Sequence, residues 1–324
     1  MRQSISVQRR PPANLRQEDL PLFESALQAQ FERNSPVMIK NALILQDTVL
    51  APGEFKFYSD FTHRSNLGLP QFSKRIGNCV LKAWRKIPKG IWIIDEWSPN
   101  YFHWLTDCLP RLWEGLKWDA TAPIVLPDSY SKLAFVRESI QSLGTDVIFY
   151  RSSENLWVDQ MILTARTASF PNFNEPLTLF TQKRLRKEPQ KPPFRKVYFT
   201  RKSASKRKVI NELDLELMLI KRNFEIISAD ELSFESQIQL MSETEVLIGL
   251  HGAALTNMIF LPSGSKVIEF RNAKDPNSHC YFNLASALQI PYYYTLNEAD
   301  QEDSVIADFT INIPQLQSVL DQIS

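Results

Sequence analysis

The chain has 324 residues, 44% of them hydrophobic and 11% aromatic, enough to bury a large core and to divide into two domains. Lys and Arg total 37 against 36 for Asp and Glu, and a net charge of +1 excludes a general electrostatic affinity for nucleic acid, so any anion must be bound locally. The scattered cysteines Cys79, Cys108 and Cys280 lack CxxC spacing, which excludes a disulfide framework and a zinc site and fits a reducing compartment.

The opening MRQSISVQRRPP lacks the apolar core of a signal peptide, and no stretch approaches the roughly 18–20 apolar residues of a membrane span. The expected location is therefore the cytoplasm, or the inner face of the cell membrane as a peripheral protein. Residues 1–80 read only loosely, as strands and turns. Beyond them GIWIID, Gly90–Asp95, reads as a strand, and Tyr101–Trp118 as a helix interrupted at Pro110. APIVLP, Ala122–Pro127, is a second strand. Ser131–Leu143 is a helix capped by Ser131, with Gly144 past its end, and DVIFY, Asp146–Tyr150, is a third strand. This alternation predicts βαβ units and a parallel sheet. The charged, proline-bearing RKEPQKPPFR, Arg186–Arg195, reads as a linker or crossover, which divides the chain into domains at 1–185 and 186–324.

The second half repeats the pattern. Strands are expected at Lys196–Thr200, Phe224–Ser228, Val246–Leu250, Lys266–Phe270 and Pro291–Leu296, with helices at Asn211–Asn223, Ser233–Thr244, Ala253–Phe260 and Cys280–Gln289. Five strands with four intervening helices make a doubly wound domain, whose ligand belongs at the carboxyl ends of the strands. A last helix, Pro314–Ile323, is a candidate to pack back on the first domain. No internal repeat or low-complexity tract is visible.

Within EVLIGLHGAALTNMIFLPSGSKVIEF, Glu245–Phe270, a buried strand runs into His251-Gly252 and a short helix of small residues. Such a turn presents free backbone N–H groups at a positive helix end, and glycine lets an anion approach closely, although many such turns are simple connections. The loop TRKSASKRKVINE, Thr200–Glu212, follows a strand of the same sheet and is strongly basic. Solvated charge accounts for it, but a guanidinium of Arg201 or Arg207 also has the fork that grips a diphosphate. Asn211 stands at the following helix start, where it also suits an N-cap.

In the first half, SPNYFHWLTDCLPRLWEGL places His103 and Asp107 four residues apart on one helical face. An aspartate-oriented histidine is a general base near neutral pH, as an aspartate is in its own right; a satisfied core histidine is the plainer reading. Trp92, Trp97 and Trp104 suit sugar stacking and core packing alike. G-x-G-x-x-G and GxxxxGK[ST] are both absent, which argues against a dinucleotide oxidoreductase and a P-loop enzyme.

HWLTDCLPRL at 103–112, TRKSASKRKVINE at 200–212 and LSFESQIQLMSETEVLIGLHGAALTNMIFLPSGSKVIEF at 232–270, in that order, resemble the glycosyltransferase family 61 proteins, which include capsular-polysaccharide-type members in bacteria. The resemblance runs from about Ile91 to Tyr294. It implies a GT-B α/β architecture of two Rossmann-like doubly wound domains facing a cleft, and an inverting, metal-independent glycosyltransferase with no cofactor. The donor it implies is a nucleotide-diphosphate sugar, usually UDP-linked, carrying a hexosyl, N-acetylhexosaminyl or pentosyl group. The acceptor would be a hydroxyl of a glycan or lipid-linked saccharide. It assigns Arg201, Arg207 and the turn His251, Gly252, Ala253 and Ala254 to the diphosphate, Asn257 and Asn211 to the donor, and Glu269, expected at a strand end, to the ribose. His103 and Asp107 fall in the acceptor-side domain, where the base is expected. The competing class is a non-catalytic nucleotide or glycan-binding protein that keeps the donor domain.

Overall fold

The computed structural model describes residues 2–63, 68–188, 191–202 and 206–323. Its strands, in chain order, are β1 Arg2–Gln8, β2 Gln28–Asn34, β3 Val37–Leu45, β4 Thr48–Ala51, β5 Lys56–Phe57, β6 Ala83–Trp92, β7 Ile124–Pro127, β8 Val147–Tyr150, β9 Glu154–Leu163, β10 Arg195–Phe199, β11 Phe224–Ile227, β12 Thr244–Leu250, β13 Lys266–Asn272, β14 Tyr292–Ala299 and β15 Phe309–Thr310. β1 and β2 pair with each other, and the remaining strands form two larger sheets. The chain divides into two units: residues up to Ile5 with Glu32–Ser169, and Ser6–Phe31 with Phe170–Ser324.

In the second unit the sheet order is β11-β10-β12-β13-β14-β15. The first five strands are parallel, and β15 runs antiparallel to β14. Val246, Leu247, Ile248, Leu250, Val267, Ile268 and Phe270 are at most 2% exposed. That burial is what a parallel strand covered on both faces requires, and it is why these strands read as continuous apolar runs. All five strands expected here are present, shifted by a few residues. Ser233 Oγ accepts from Ser236 N and starts the helix Phe234–Ser242, and Ala253–Phe260 is a 3-10 helix. Counted within the unit, the strand order is 2-1-3-4-5, and it reverses between β10 and β12. Ligands of open α/β sheets bind beyond the strand ends at such a switch point.

The final helix, Ile313–Ile323, buries Leu316, Val319 and Leu320 in a cluster with Tyr198, Ile248 and Ile268, inside the second unit's own core. The N-terminal helix Leu20–Leu27 also belongs to this unit. It sets Phe23 against Tyr294 at 4.8 Å and Phe282 at 5.3 Å. The helix Glu175–Leu185 lies in this unit too. The segment Arg186–Arg195 therefore joins two elements of one unit; its Pro189 and Gln190 lie outside the described residues.

The first unit departs from the doubly wound parallel expectation. Its sheet, β5-β4-β3-β9-β6-β7-β8, is mixed. β3 runs antiparallel to both β4 and β9, while β6 is parallel to β9 and β7, and β7 to β8. The expected strand at 90–95 is the end of β6, which starts at Ala83 and stops at Trp92. AWRKIPKG hides the strand because its polar residues and Pro88 do not read as one.

The interruption of the helix at 101–118 lies upstream of Pro110. Asn100 Oδ1 caps the start by accepting from Phe102 N, Trp104–Cys108 form a π-helical turn, and Leu109–Leu116 continue as α-helix with proline in the first turn. Proline removes one intrahelical donor and crowds the preceding carbonyls, which a widened turn relieves. Ser131 is not a cap: it donates to the Asp128 carbonyl within a 3-10 turn, and the helix begins at Ala134. Gly144 does end it, at φ 63°, in the left-handed conformation that favours glycine.

Candidate active site

Two clusters of polar side chains stand out, one in each unit. In the second unit, the loop after β10 and the turn after β12 flank the switch point. A Cβ added to Gly252 would meet Arg201 Nη1 and Arg207 Nη1, each at 3.2 Å. The two guanidiniums therefore converge on the backbone of the His251-Gly252 turn, at a point where only glycine leaves them room. Arg207 Nη1 donates to the His251 carbonyl at 3.1 Å, and Arg201 donates through Nε to the Arg207 carbonyl at 3.1 Å and through Nη2 to the Lys206 carbonyl at 3.1 Å. Neutral acceptors thus fix both side chains. No carboxylate among the described residues forms an ion pair with either, and Arg207 Nε is buried without a hydrogen-bond partner.. Burial and the Arg207 charge hold the Arg201 pKa below its ordinary value. Like charges held together without a counter-ion favour an anion. Ala253 and Ala254, both part-exposed, open the 3-10 helix whose first N–H groups have no acceptor within it. Ser203, Ala204 and Ser205 of the basic loop lie outside the described residues.

The remaining residues assigned to the donor are engaged inside the protein. Asn257 is fully buried, and its Nδ2 donates to the Ala254 carbonyl at 3.0 Å, which braces the turn. Asn211 does not cap its helix: its side-chain amide donates to the Ile311 carbonyl and accepts from Ile311 N, at 2.9 and 2.8 Å. Glu269 is not at a strand end, because β13 runs on to Asn272. It is fully buried. Its Oε1 accepts from His251 Nδ1 at 2.5 Å and its Oε2 from the Tyr292 hydroxyl at 2.5 Å. His251 Nε2 lies 3.0 Å from Ser278 Oγ. Burial works against the His251 imidazolium, but Cys280 and Glu269 outweigh it and raise its pKa to about 10. A buried imidazolium–carboxylate pair therefore holds the residue whose carbonyl receives Arg207.

In the first unit His103 and Asp107 meet as their spacing requires, with Nδ1 2.8 Å from Oδ2. The same Asp107 oxygen accepts Arg166 Nη1 at 2.9 Å, and Arg166 Nη2 reaches Asp95 Oδ2 at 2.5 Å. Fully buried Arg111 supports Asp95 through Nη1 at 3.2 Å and donates through Nη2 to the Phe61 carbonyl at 2.7 Å. Its pKa is lowered by burial, an effect that Asp95 opposes. The sequence reading did not single out Asp95, Arg111 or Arg166. Arg111 stands within HWLTDCLPRL; Arg166 carries no local signal.

Of the tryptophans, Trp92 and Trp104 are core residues, and their indole N–H groups donate to the Ile94 carbonyl and Ser139 Oγ. Trp97 is 40% exposed, packs 4.9 Å from the His103 ring and has the Arg166 guanidinium 5.7 Å from its own ring. It is the tryptophan placed to meet a ligand beside His103. A neutral His103 that donates Nδ1–H to Asp107 keeps its lone pair on Nε2, the arrangement of a general base.

The model of the family described as Glycosyltransferase 61 matches residues 101–268. That range holds His103, Asp107, Arg111 and Arg166 of one cluster and Arg201, Arg207, His251 and Gly252 of the other. Among curated proteins, the chain is similar to EGF domain-specific O-linked N-acetylglucosamine transferases. It is 36% identical to that of Drosophila melanogaster over 110 residues, 32% of this chain and 21% of the relative. To that of Rattus norvegicus it is 35% identical over 99 residues, 29% and 18% of the two chains, and to that of Mus musculus 34% over 96 residues, 28% and 18%. The similarity spans about a fifth of the length of these relatives.

Proposed function

The chain belongs to glycosyltransferase family 61, and on that premise we propose that it transfers a sugar from a nucleotide-diphosphate donor to a hydroxyl acceptor with inversion. The observation that carries this reading is the pair of guanidiniums, Arg201 and Arg207, set against Gly252 at the switch point of the second unit's sheet without a carboxylate partner among the described residues. A pyrophosphate matches that charge and that fork, and the first N–H groups of the following 3-10 helix add to it.

In this reading the fold is of the GT-B kind, with the donor held by the second unit and the proton accepted by a residue of the first. The acceptor hydroxyl attacks the anomeric carbon from the face opposite the diphosphate. The bond from that carbon to the diphosphate oxygen breaks, and the hydroxyl proton passes to His103 Nε2. Asp107 holds the imidazole tautomer and favours the imidazolium that forms, while Arg166 keeps the Asp107 carboxylate in place. Arg201 and Arg207 offset the charge that develops on the leaving group, the part a divalent cation plays in other transferases. Glu269, given to the ribose on sequence grounds, acts instead through His251.

The first donor to test is UDP-linked N-acetylglucosamine. The uridine follows from the sequence resemblance, and the sugar from what the curated relatives' names say they transfer. The acceptor in this reading is a glycan or lipid-linked saccharide of polysaccharide biosynthesis, handled in the cytoplasm or at the inner face of the membrane. No helix among the described residues is long and apolar enough to cross a membrane. The test is incubation with UDP-sugars, following UDP release for the wild type and the His103→Ala and Arg201→Ala variants. Release that needs both residues supports the reading. UDP binding without turnover of any donor, with any acceptor supplied, would make the protein a donor-binding module instead.

A further inference from the structure

A second set of basic side chains lies buried inside the second unit. Arg271 on β13 is 1% exposed, and its Nε, Nη1 and Nη2 are all buried without a hydrogen-bond partner. The Phe23 ring stacks 4.7 Å from the guanidinium carbon. His279 packs on the same phenylalanine, with ring centroids 6.1 Å apart, and both of its ring nitrogens are buried without a partner.

Charge accounting sharpens this. Glu269 shares a sheet face with Arg271, two residues earlier on the strand, but its two oxygens are taken by His251 and Tyr292. Burial opposes the Arg271 charge, and Tyr292 and Glu269 more than offset it, so the guanidinium stays ionised. A second buried arginine, Arg9, donates to the neutral acceptors Ala26 O and Asn172 Oδ1. Burial, then the Arg271 charge, lowers the His279 pKa to about 4, which keeps that ring neutral with one N–H to donate. A buried guanidinium without hydrogen bonds is a costly arrangement, and an oxyanion repays it.

We propose that Arg271 and His279 form a second oxyanion site, which takes a phosphate or carboxylate group between the guanidinium and the imidazole N–H. It stands whether or not the donor-site assignment holds. The loop 273–277, largely exposed, links the two residues.

The test is thermal unfolding of the full chain in an amine buffer at constant chloride, titrated separately with inorganic phosphate, acetate and UDP. A ligand that binds only the folded state raises Tm saturably. Phosphate or acetate should do so for the wild type; the more effective of the two identifies the group the site takes. Arg271→Met should abolish that response and keep the response to UDP. His279→Gln, which leaves the guanidinium in place, should weaken the response. The proposal fails if neither anion shifts the wild type, if the shift survives in Arg271→Met, or if Arg201→Ala rather than Arg271→Met abolishes it.

Discussion

Asp107 presents one oxygen, Oδ2, to both His103 Nδ1 at 2.8 Å and Arg166 Nη1 at 2.9 Å. A carboxylate so engaged by a guanidinium is poorly suited to take a proton, which assigns Asp107 to positioning and His103 to proton transfer in the proposed reaction. His103→Ala and Asp107→Asn should each lower kcat by about 10²–10⁴-fold with little change in KM for the donor. Arg166→Met should lower kcat less and alter the pH–rate profile, because it acts through Asp107 rather than on the reacting atoms. Initial rates against donor concentration, taken across pH, check this. An Asp107→Asn variant with wild-type kcat would refute the assignment.

The arginines of the proposed donor site yield a separate expectation, read by titration calorimetry with UDP. A hydrogen bond to a charged group contributes about 1.5–3 kcal/mol, so Arg201→Ala and Arg207→Ala should each weaken UDP binding roughly 10- to 150-fold. Gly252→Ala is the sharper probe. At φ 170° the backbone is extended and accepts any residue, yet the new Cβ would press on both Nη1 atoms from 3.2 Å. Folding should be unaffected, while UDP affinity falls by about tenfold. Unchanged affinity in that variant would separate the turn from the nucleotide.

The sheet of the second unit was legible because its inner strands β12 and β13 are buried on both faces, and β12 appears as an unbroken run, Val246–Leu250. The convergence of Arg201 and Arg207 on Gly252 followed from their placement after strands of one sheet. The first unit was harder to read: β3 mixes Lys40 and Asn41 with apolar residues, and β6 contains Pro88. Its partner strand β9 lies far along the chain. The positioning of His103 was half visible. The i,i+4 aspartate is a local signal, whereas Arg166 lies 59 residues from Asp107 and 71 from Asp95 and is brought there by tertiary folding alone. The resemblance gave Glu269 a place at a strand end, but β13 runs on to Asn272, and sheet pairing sets Tyr292 opposite Val267, two residues away on the same face, where its hydroxyl meets the Glu269 carboxylate.

Two histidines should shape stability against pH in opposite directions. His251 has its pKa raised to about 10, against roughly 6.5 unfolded, so its contribution is complete below about pH 6.5 and is lost as pH rises towards 10. His279, lowered to about 4, contributes above about pH 6.5 and loses that contribution as pH falls towards 4. Urea midpoints measured from pH 4 to pH 10 should therefore peak near neutrality. His251→Gln should flatten the alkaline limb and leave the acid limb unchanged, and His279→Gln should do the converse. Glu269→Ala should cost about 3–5 kcal/mol, because it leaves the His251 imidazolium buried without its carboxylate. An alkaline limb that persists in His251→Gln would mean that another group titrates there.

The same guanidinium pair bears on metal dependence. A departing nucleoside diphosphate needs positive charge at its oxygens, and Arg201 and Arg207 provide two such charges fixed by backbone carbonyls before the donor arrives. Preorganised charge of that kind acts without reorganisation during the reaction. Transfer should then persist in excess EDTA. Arg207→Met should lower kcat/KM by roughly 10²-fold, and added manganese should not restore it, because the loop provides guanidiniums rather than carboxylate ligands for a cation. Activity abolished by EDTA and recovered with manganese would show that the developing charge is met by a metal, and that the arginines only hold the nucleotide.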